Sequence, residues 1–249
     1  MEEIRDNPES PSRIGKDVLL SLTPEGNPDF GDILLALQEA ATEQTERLGI
    51  GTDFLHARGY GYVVLREKIQ LLGPFHDKEK ARLVTYPLPA GRIEMYRDAY
   101  LLDAEGRTIL RIHSLWVFMD EKTRRIRPAK DADGILVEHP EIRSFQTLFP
   151  EERLRQIPQP EGATWVGSFT VQKGDIDQNG HMNNTLYLRK AQAFGLRKSS
   201  FLSFEFESEC LLGEKVDVFR KEEEGKEYLL FHKPDGRLSF LLENQCAGR

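Results

Sequence analysis

A dense run of polar side chains lies in the second half of the 249-residue sequence. Within it, Asp177, Asn179 and His181 fall at every second position. In an extended segment, side chains at alternate positions leave the backbone on the same side, so a carboxylate, an amide and an imidazole would meet there. An imidazole is a base near neutral pH and its two neighbours can orient it. The set therefore predicts acid–base chemistry of the kind used in hydrolysis.

A helix is predicted to begin directly after this run. Asn183 and Asn184 precede residues 185–196, which are apolar at helical spacing, and asparagine is favoured at helix N-termini. Free backbone N–H groups there would stabilise an oxyanion beside the imidazole. An ordinary polar loop with a capped helix behind it would have the same composition. These residues alone support both interpretations equally.

The composition narrows the classes of protein to consider. The sequence is 39% hydrophobic and 30% charged with a net charge of −7, which is typical of a globular protein and unfavourable for nucleic-acid binding. Its apolar runs are far shorter than the ~20 residues that cross a bilayer, and its acidic start is unlike a signal peptide. We therefore predict a cytoplasmic protein without membrane insertion. Cys210 and Cys246 offer neither a disulfide framework nor zinc-ligand spacing, so no metal or cofactor is predicted.

The elements around the polar run form two similar halves. The first half predicts one long helix near residues 29–48, then four strands with an apolar period of two, and the second half repeats this order. The predicted strands cover residues 60–72, 79–86, 92–102 and 107–119 in the first half and 201–210, 215–222, 227–233 and 237–245 in the second. A helix followed by long antiparallel strands indicates an α+β protein in which each helix packs on a curled sheet.

This repetition divides the chain into an N-terminal domain at 14–126, a proline-rich linker at 127–163 and a C-terminal domain at 164–249. The loop at 27–32 stands in the first copy where 179–184 stands in the second, but it contains no histidine. The difference predicts that the second copy carries the chemistry, whereas the first packs or shapes a pocket. It also favours a functional site over a plain capped loop.

The sequence resembles the acyl-ACP thioesterase family over almost its whole length. The resemblance rests on residues 177–184 with Tyr187, on Glu-Ser-Glu-Cys at 207–210, on Gly-Arg-Ile at 91–93, and on the segment 114–125. It implies a tandem, or double, hot-dog fold, in which each of two repeats has a long helix wrapped by an antiparallel sheet. It also implies hydrolysis of fatty acyl thioesters on acyl carrier protein, which ends fatty acid synthesis.

By position, the resemblance implies a catalytic group of Asp177, Asn179, His181 and Glu209, and it places Cys210 where a nucleophile has been assigned. In one mechanism, Glu209 and His181 activate a water molecule that attacks the thioester carbonyl. In the other, Cys210 attacks as a thiolate activated by His181. The residues around Cys210 are acidic, which disfavours a thiolate there. If the strand is continuous up to residue 210, Cys210 lies on its apolar face and Glu209 on its polar face. We favour water attack and leave both mechanisms open.

A carrier protein is acidic, so a basic patch is expected near the mouth of the pocket. Arg189, Lys190, Arg197 and Lys198 are the candidates, although an ordinary solvated helix face would look the same. Three other functions stay open: an acyl-CoA thioesterase, a hydratase of the same fold, and a non-catalytic acyl-binding module. Neither the length of the acyl chain nor the pairing of two chains into a homodimer follows from the sequence.

Overall fold

The structure is a computed structural model that describes residues 12–129, 139–150 and 154–247. Its α-helices are α1 (Phe30–Arg47), α2 (Thr52–His56) and α3 (Thr185–Ala193). Its strands are β1 (Ile14–Leu19), β2 (Tyr60–Leu71), β3 (Lys80–Pro87), β4 (Met95–Leu102), β5 (Thr108–Asp120), β6 (Ile126–Arg127), β7 (Thr164–Thr170), β8 (Ser199–Phe206), β9 (Lys215–Glu223), β10 (Lys226–His232) and β11 (Leu238–Cys246). None of the described helices has the length and apolarity that a bilayer crossing requires.

The strands belong to one antiparallel sheet whose two halves have the same order. From one edge they run β1-β3-β4-β5-β2 and continue as β8-β11-β10-β9-β7, with the short β6 paired to β5. Apart from β6, each half has five described strands. From the outer edge of the sheet to its centre, the strands of each half stand in the order first, third, fourth, fifth and second along the chain. The halves join where β2 pairs with β8, from Arg66 opposite Glu205 to Gln70 opposite Phe201. This topology confirms the predicted α+β class and the internal duplication.

The helix boundaries follow from capping and glycine positions. The carboxylate of Asp29 accepts a hydrogen bond from the N–H of Gly31 (2.8 Å) and so caps α1, while Gly49, with φ of +74°, stands just past its end. Helix α3 ends at Ala193, three residues before the predicted end, because Gly195 takes a φ of +74° that a right-handed helix cannot continue through. The buried face of α1 includes Phe30, Ile33, Leu34, Leu37 and Ala40.

Polar side chains of α3 hold the start of α1. Gln192 accepts a hydrogen bond from the N–H of Phe30 (3.2 Å) and donates one to the carbonyl of Pro28 (2.7 Å). The guanidinium of Arg189 donates to the carboxylate of Asp29 (3.1 Å). The two helices, one from each half, are therefore fixed side by side on the sheet.

Asn27, in the loop before α1, connects the halves a second time. Its side chain is fully buried, and its amide donates to the carbonyls of Leu196 (3.2 Å) and Arg197 (3.0 Å). Its oxygen accepts from the N–H of Ser199 (2.9 Å). Buried backbone groups need such partners, so this loop packs the two halves together, which is one of the two roles considered for the first copy.

The segment between the halves packs against the outer face of the first half. The carboxylate of Asp98 contacts His113 and accepts hydrogen bonds from the hydroxyl of Thr147 (3.0 Å) and the N–H of Leu148 (2.5 Å). Residues 130–138, 151–153 and 248–249 lie outside the described parts of the chain. The domain limits at 14–126, 127–163 and 164–249 stay predictions.

Glu67 is a buried acid on the central strand β2. It lies opposite Ser114 of β5 and Phe204 of β8, and it shares a face of β2 with the core residue Ile69. Burial raises the pKa of Glu67 to about 8. The folded protein therefore keeps this group protonated near neutral pH, whereas the unfolded chain loses the proton.

We expect the Glu67→Gln substitution to increase the free energy of unfolding in a pH-dependent manner. The unfolded glutamate ionises above about pH 4.3, and the folded one only above about 8, so the wild type loses stability as the pH rises between these values. The variant should match the wild type near pH 4 and exceed it by about 3–4 kcal/mol near pH 7. Urea unfolding at both pH values measures this difference. The control is Glu223→Gln at an exposed position of β9, and a Glu67→Gln effect that is the same at both pH values would contradict the prediction.

Candidate active site

A cavity of about 1120 Å³ is lined by residues from both halves of the chain. The first half supplies a mostly apolar wall from α1, α2, β2, β4 and β5, which includes Leu48, Ile50, Leu55, Tyr62, Val64, Met95 and Trp116. The second half supplies polar residues, which include Asp177, Asn179, His181 and Glu209. A pocket with apolar walls and a few converging polar groups is typical of a small-molecule site.

Residues 177–180 form a turn rather than an extended segment. The N–H of Asp177 donates to the carbonyl of His181 (2.9 Å), the N–H of Gly180 donates to the carbonyl of Asp177 (3.1 Å), and Gly180 has a φ of +84°. The expectation of alternating side chains on an extended backbone is therefore wrong, because the chain reverses at this glycine. The turn still brings Asp177, Asn179 and His181 to the same cavity wall.

The Asp177 carboxylate holds this turn together. It accepts hydrogen bonds from the backbone N–H groups of Asn179 (2.8 Å) and His181 (3.3 Å) and from the Asn179 side-chain amide (3.4 Å). Asp177 therefore sets the position of the imidazole through the backbone. Its described hydrogen bonds do not include one to the imidazole ring.

His181 and Glu209 form the titratable pair of the site. Nε2 of His181 lies 3.1 Å from Oε2 of Glu209. The two segments are joined by backbone contacts, because His181 forms a bridge with Leu211 and the N–H of Met182 donates to the carbonyl of Cys210 (2.8 Å). The two residues were predicted to act together from segments far apart in sequence, and the structure places them in direct contact.

Cys210 lies in the core, behind the wall of the cavity. It is fully buried, its Sγ lies 2.9 Å from the hydroxyl of Ser239, and its N–H donates to the hydroxyl of Tyr187 (3.3 Å). It is not among the residues that line the cavity. The predicted continuous strand 201–210 is wrong in its last four residues, because β8 ends at Phe206 and strand alternation stops there. Glu209 can therefore face the cavity next to His181 while Cys210 packs inside.

The two asparagines before α3 have different roles. The side-chain oxygen of Asn183 accepts hydrogen bonds from the N–H and the hydroxyl of Thr185, both at 3.0 Å, so it satisfies the first N–H of α3 from the position before the N-cap residue, Asn184. Asn184 lines the cavity, and its N–H has no acceptor within the described parts of the chain. That N–H is available to a bound oxyanion.

Sequence reasoning missed two basic residues that contact Glu209. Nη2 of Arg124, in the turn after β5, contacts Oε1 of Glu209, and Nζ of Lys233 donates to the backbone carbonyl of Glu209 (2.6 Å). Lys233 also pairs with Glu214 (3.2 Å). Arg124 falls in one of the segments that carry the family resemblance, but no local spacing connects it with a residue so distant in sequence.

The four basic residues predicted for carrier docking do not line the cavity. Three of them have carboxylate partners: Arg189 with Asp32 (2.5 Å), Lys190 with Asp175 (3.0 Å) and Arg197 with Glu222 (3.2 Å). The fourth, Lys198, is exposed. Their use in docking stays a prediction, and the pairing of Arg189 shows a structural use for at least one of them.

A group of acids could hold a metal ion elsewhere among the described residues. Glu79, Asp103 and Glu105 have ligand atoms within 4.8 Å of one another. Arg107 already pairs with Asp103 (2.6 Å) and Glu105 (2.9 Å), and none of the three acids lines the cavity. This group therefore has no part in the chemistry of the candidate site.

Two descriptions of one family match the sequence. The acyl-ACP thioesterase N-terminal domain matches residues 25–133, and the acyl-ACP thioesterase C-terminal domain matches residues 159–236. Oleoyl-acyl carrier protein thioesterase 2 of Arabidopsis thaliana, a chloroplastic protein, is 29% identical over 171 residues, which cover 61% of this chain and 45% of the relative. The palmitoyl-acyl carrier protein thioesterase of Cuphea hookeriana, also chloroplastic, is 22% identical over 188 residues, covering 70% and 45%. The chain spans about half the length of these curated relatives.

Two solved structures share the fold. The acyl-ACP thioesterase from Bacteroides thetaiotaomicron superposes with a TM-score of 0.79 at 18% identity, covering 94% of this chain and 97% of that one. The 12:0-ACP thioesterase from Umbellularia californica gives a TM-score of 0.78 at 18% identity, covering 96% and 98%. Together with the sheet order, these similarities confirm the predicted double hot-dog fold.

The placement of the two cysteines predicts different reactivities. A thiol reagent added to the folded protein should modify Cys246, which is partly exposed, and leave the buried Cys210 unmodified until the chain unfolds. Burial raises the pKa of Cys246, so its reaction should be slower than that of a free thiol. Thiol titration in buffer and in denaturant checks this, with Cys246→Ser as the control that should show no native reactivity. Fast native labelling of Cys246→Ser would contradict the placement of Cys210.

Proposed function

Because the chain belongs to the acyl-ACP thioesterase family, we propose that it hydrolyses the thioester between a fatty acyl chain and the phosphopantetheine arm of acyl carrier protein. The observation that carries this proposal is the contact of His181 Nε2 with Glu209 Oε2 at 3.1 Å on the wall of the cavity. An imidazole and a carboxylate in contact can hold and deprotonate a water molecule. The products are a free fatty acid and the carrier thiol, and the reaction ends fatty acid synthesis.

In the proposed mechanism, water held by His181 and Glu209 attacks the thioester carbon and gives its proton to this pair. The carbon–sulfur bond breaks when the tetrahedral intermediate collapses, and the proton passes to the departing thiolate. Asn184, whose N–H has no acceptor among the described residues, and Asn179 both line the same cavity, and in this proposal their N–H groups stabilise the oxyanion. Asp177 contributes by holding the turn that positions the imidazole.

The first half supplies the acyl site in this proposal. Its mostly apolar wall would remove the chain from water, a gain of about 0.8 kcal/mol for each buried methylene. We therefore propose that residues 14–126 form the acyl-binding domain and residues 164–249 the catalytic domain, with residues 127–163 as the linker.

The contact between His181 and Glu209 also bears on the competing functions. A non-catalytic acyl-binding module has no use for a base on its pocket wall. A hydratase needs one acid–base pair on an enoyl thioester and would not require Glu209. A thioesterase acting on acyl-CoA would use the same residues, so the choice between the two carriers rests on the partner surface.

Acyl carrier protein is the proposed partner. Its acidic surface would meet basic groups at the cavity, where the exposed Arg237 is among the lining residues. Docking through Arg189, Lys190, Arg197 and Lys198 stays an alternative prediction. A cytoplasmic location, which was expected from the sequence, likewise stays a prediction, and the pairing of two chains into a homodimer stays an open question.

The proposed function is tested by the release of free thiol from acyl carrier protein and from coenzyme A loaded with the same fatty acyl chain. The wild type should release thiol faster from the carrier protein, and His181→Ala should release it at the background rate because the base is lost. Equal release by wild type and His181→Ala would end the thioesterase proposal. Faster release from coenzyme A would show that the substrate is acyl-CoA and not the acyl carrier protein.

Two substitutions separate the mechanisms. Glu209→Gln should lower kcat by roughly 10²- to 10⁴-fold, because it removes the carboxylate that receives the proton. Cys210→Ala should change kcat little, because its thiol lies in the core and not at the cavity. Steady-state rates of both variants, with circular dichroism to verify folding, measure the difference. Near-normal turnover by Glu209→Gln together with loss of turnover in folded Cys210→Ala would establish thiolate attack instead.

A further inference from the structure

We propose that Arg124 is a positioning residue, which reaches across from the first half of the chain and holds Glu209 in its productive orientation. The proposal rests on the proposed thioester hydrolysis and adds a residue to it. Nη2 of Arg124 contacts Oε1 of Glu209, while Oε2 of the same carboxylate lies 3.1 Å from Nε2 of His181. Each carboxylate oxygen therefore has its own partner, which fixes the rotation of the group.

The Glu209 carboxylate needs such a contact because little else restrains it. It lies between the end of β8 at Phe206 and the start of β9 at Lys215, where the strand ladder is interrupted. Its side chain is 40% exposed, and an exposed glutamate samples many rotamers unless a partner selects one. Lys233 fixes the backbone of this segment through the carbonyl of Glu209, which leaves the carboxylate itself to Arg124 and His181.

The turn that carries Arg124 is itself well defined. The carboxylate of Asp120 accepts hydrogen bonds from the N–H groups of Lys122 (3.2 Å) and Thr123 (2.8 Å). The N–H of Arg124 donates to the carbonyl of Asp120 (2.9 Å). The guanidinium therefore projects from a fixed base at the end of β5, which allows it to hold another side chain in place.

Arg124 has a backbone conformation that glycine adopts more easily than any residue with a side chain. Its φ is +55°, in the left-handed region that costs a residue with a Cβ. The turns between β4 and β5 and between β10 and β11 have Gly106 and Gly236 at φ of +81° and +82°. Lys78 and Glu224 also take a positive φ, but of these three described residues only Arg124 lines the cavity, where such a conformation is consistent with a use for the side chain.

Arg124→Gly tests the role without endangering the fold, because glycine accepts this φ at no steric cost. We expect kcat to fall between about 10- and 100-fold, as misplaced catalytic groups do, while KM stays within about twofold. Arg124→Lys should recover part of kcat, because an ammonium group can still contact the carboxylate. The matched control is Arg125→Ala, which removes the same charge from an exposed neighbour that does not line the cavity and should keep the wild-type kcat.

A double variant distinguishes the positioning of Glu209 from a merely structural role of Arg124. If Arg124 acts through Glu209, then Arg124→Gly should lower the residual rate of Glu209→Gln by less than about twofold. Independent losses that multiply in the double variant would overturn the proposal, as would an unchanged kcat in Arg124→Gly or an equal loss in Arg125→Ala. A rise in KM alone would assign Arg124 to substrate binding instead. If the wild type is active, any of these results contradicts only the role of Arg124 and not the thioesterase function. An inactive wild type would contradict both proposals.

Discussion

The carboxylate of Glu209 lies in a segment without a strand ladder, so its position depends on groups that other parts of the chain bring to it. His181 comes from the turn before α3 and Arg124 from the first half, and both contact the carboxylate. Lys233, from the turn between β10 and β11, holds the backbone carbonyl of the same residue. The first and second halves meet there because β2 and β8 join them into one sheet, which the contacts of Asn27 and of α3 with α1 reinforce. The continuity of the sheet at this seam is therefore the constraint on which the site depends.

The two repeats show how one architecture serves two purposes. In the first, the loop before the helix carries Asn27, whose amide is fully used in bonding residues 196–199 of the other repeat. In the second, the corresponding loop carries His181 on a turn held by Asp177 and leaves the imidazole on a cavity wall. The first repeat gives the cavity its apolar wall, and the second gives it the polar groups.

Local sequence patterns predicted most of the helices and strands and pointed to Asp177, Asn179 and His181, while Glu209 was added by the family resemblance; neither source predicted the geometry of the site. Helix α1 and the long strands follow from apolar periods of 3.6 and two with glycine at the turns, and those signals are local. The turn at 177–180 differs from the predicted extended segment because Asn179-Gly180, a dipeptide that favours turns, prevails over the period-two spacing of the polar residues around it. Whether Cys210 faces the cavity or the core depends on where β8 ends, and residue spacing does not give that end. The contact between Arg124 and Glu209 joins residues far apart in sequence, so spacing cannot predict it either.

The most direct test of a site shared by the two repeats is the crystal structure of the protein with an acyl-pantetheine analogue whose thioester is replaced by a non-hydrolysable amide. The amide carbonyl should lie beside the pair formed by His181 and Glu209, with its oxygen directed at the N–H of Asn184. The acyl chain should extend along the apolar wall of the first repeat, past Tyr62 and Trp116. A carbonyl bound next to Cys210, or an acyl chain that lies outside this cavity, would contradict the assignment.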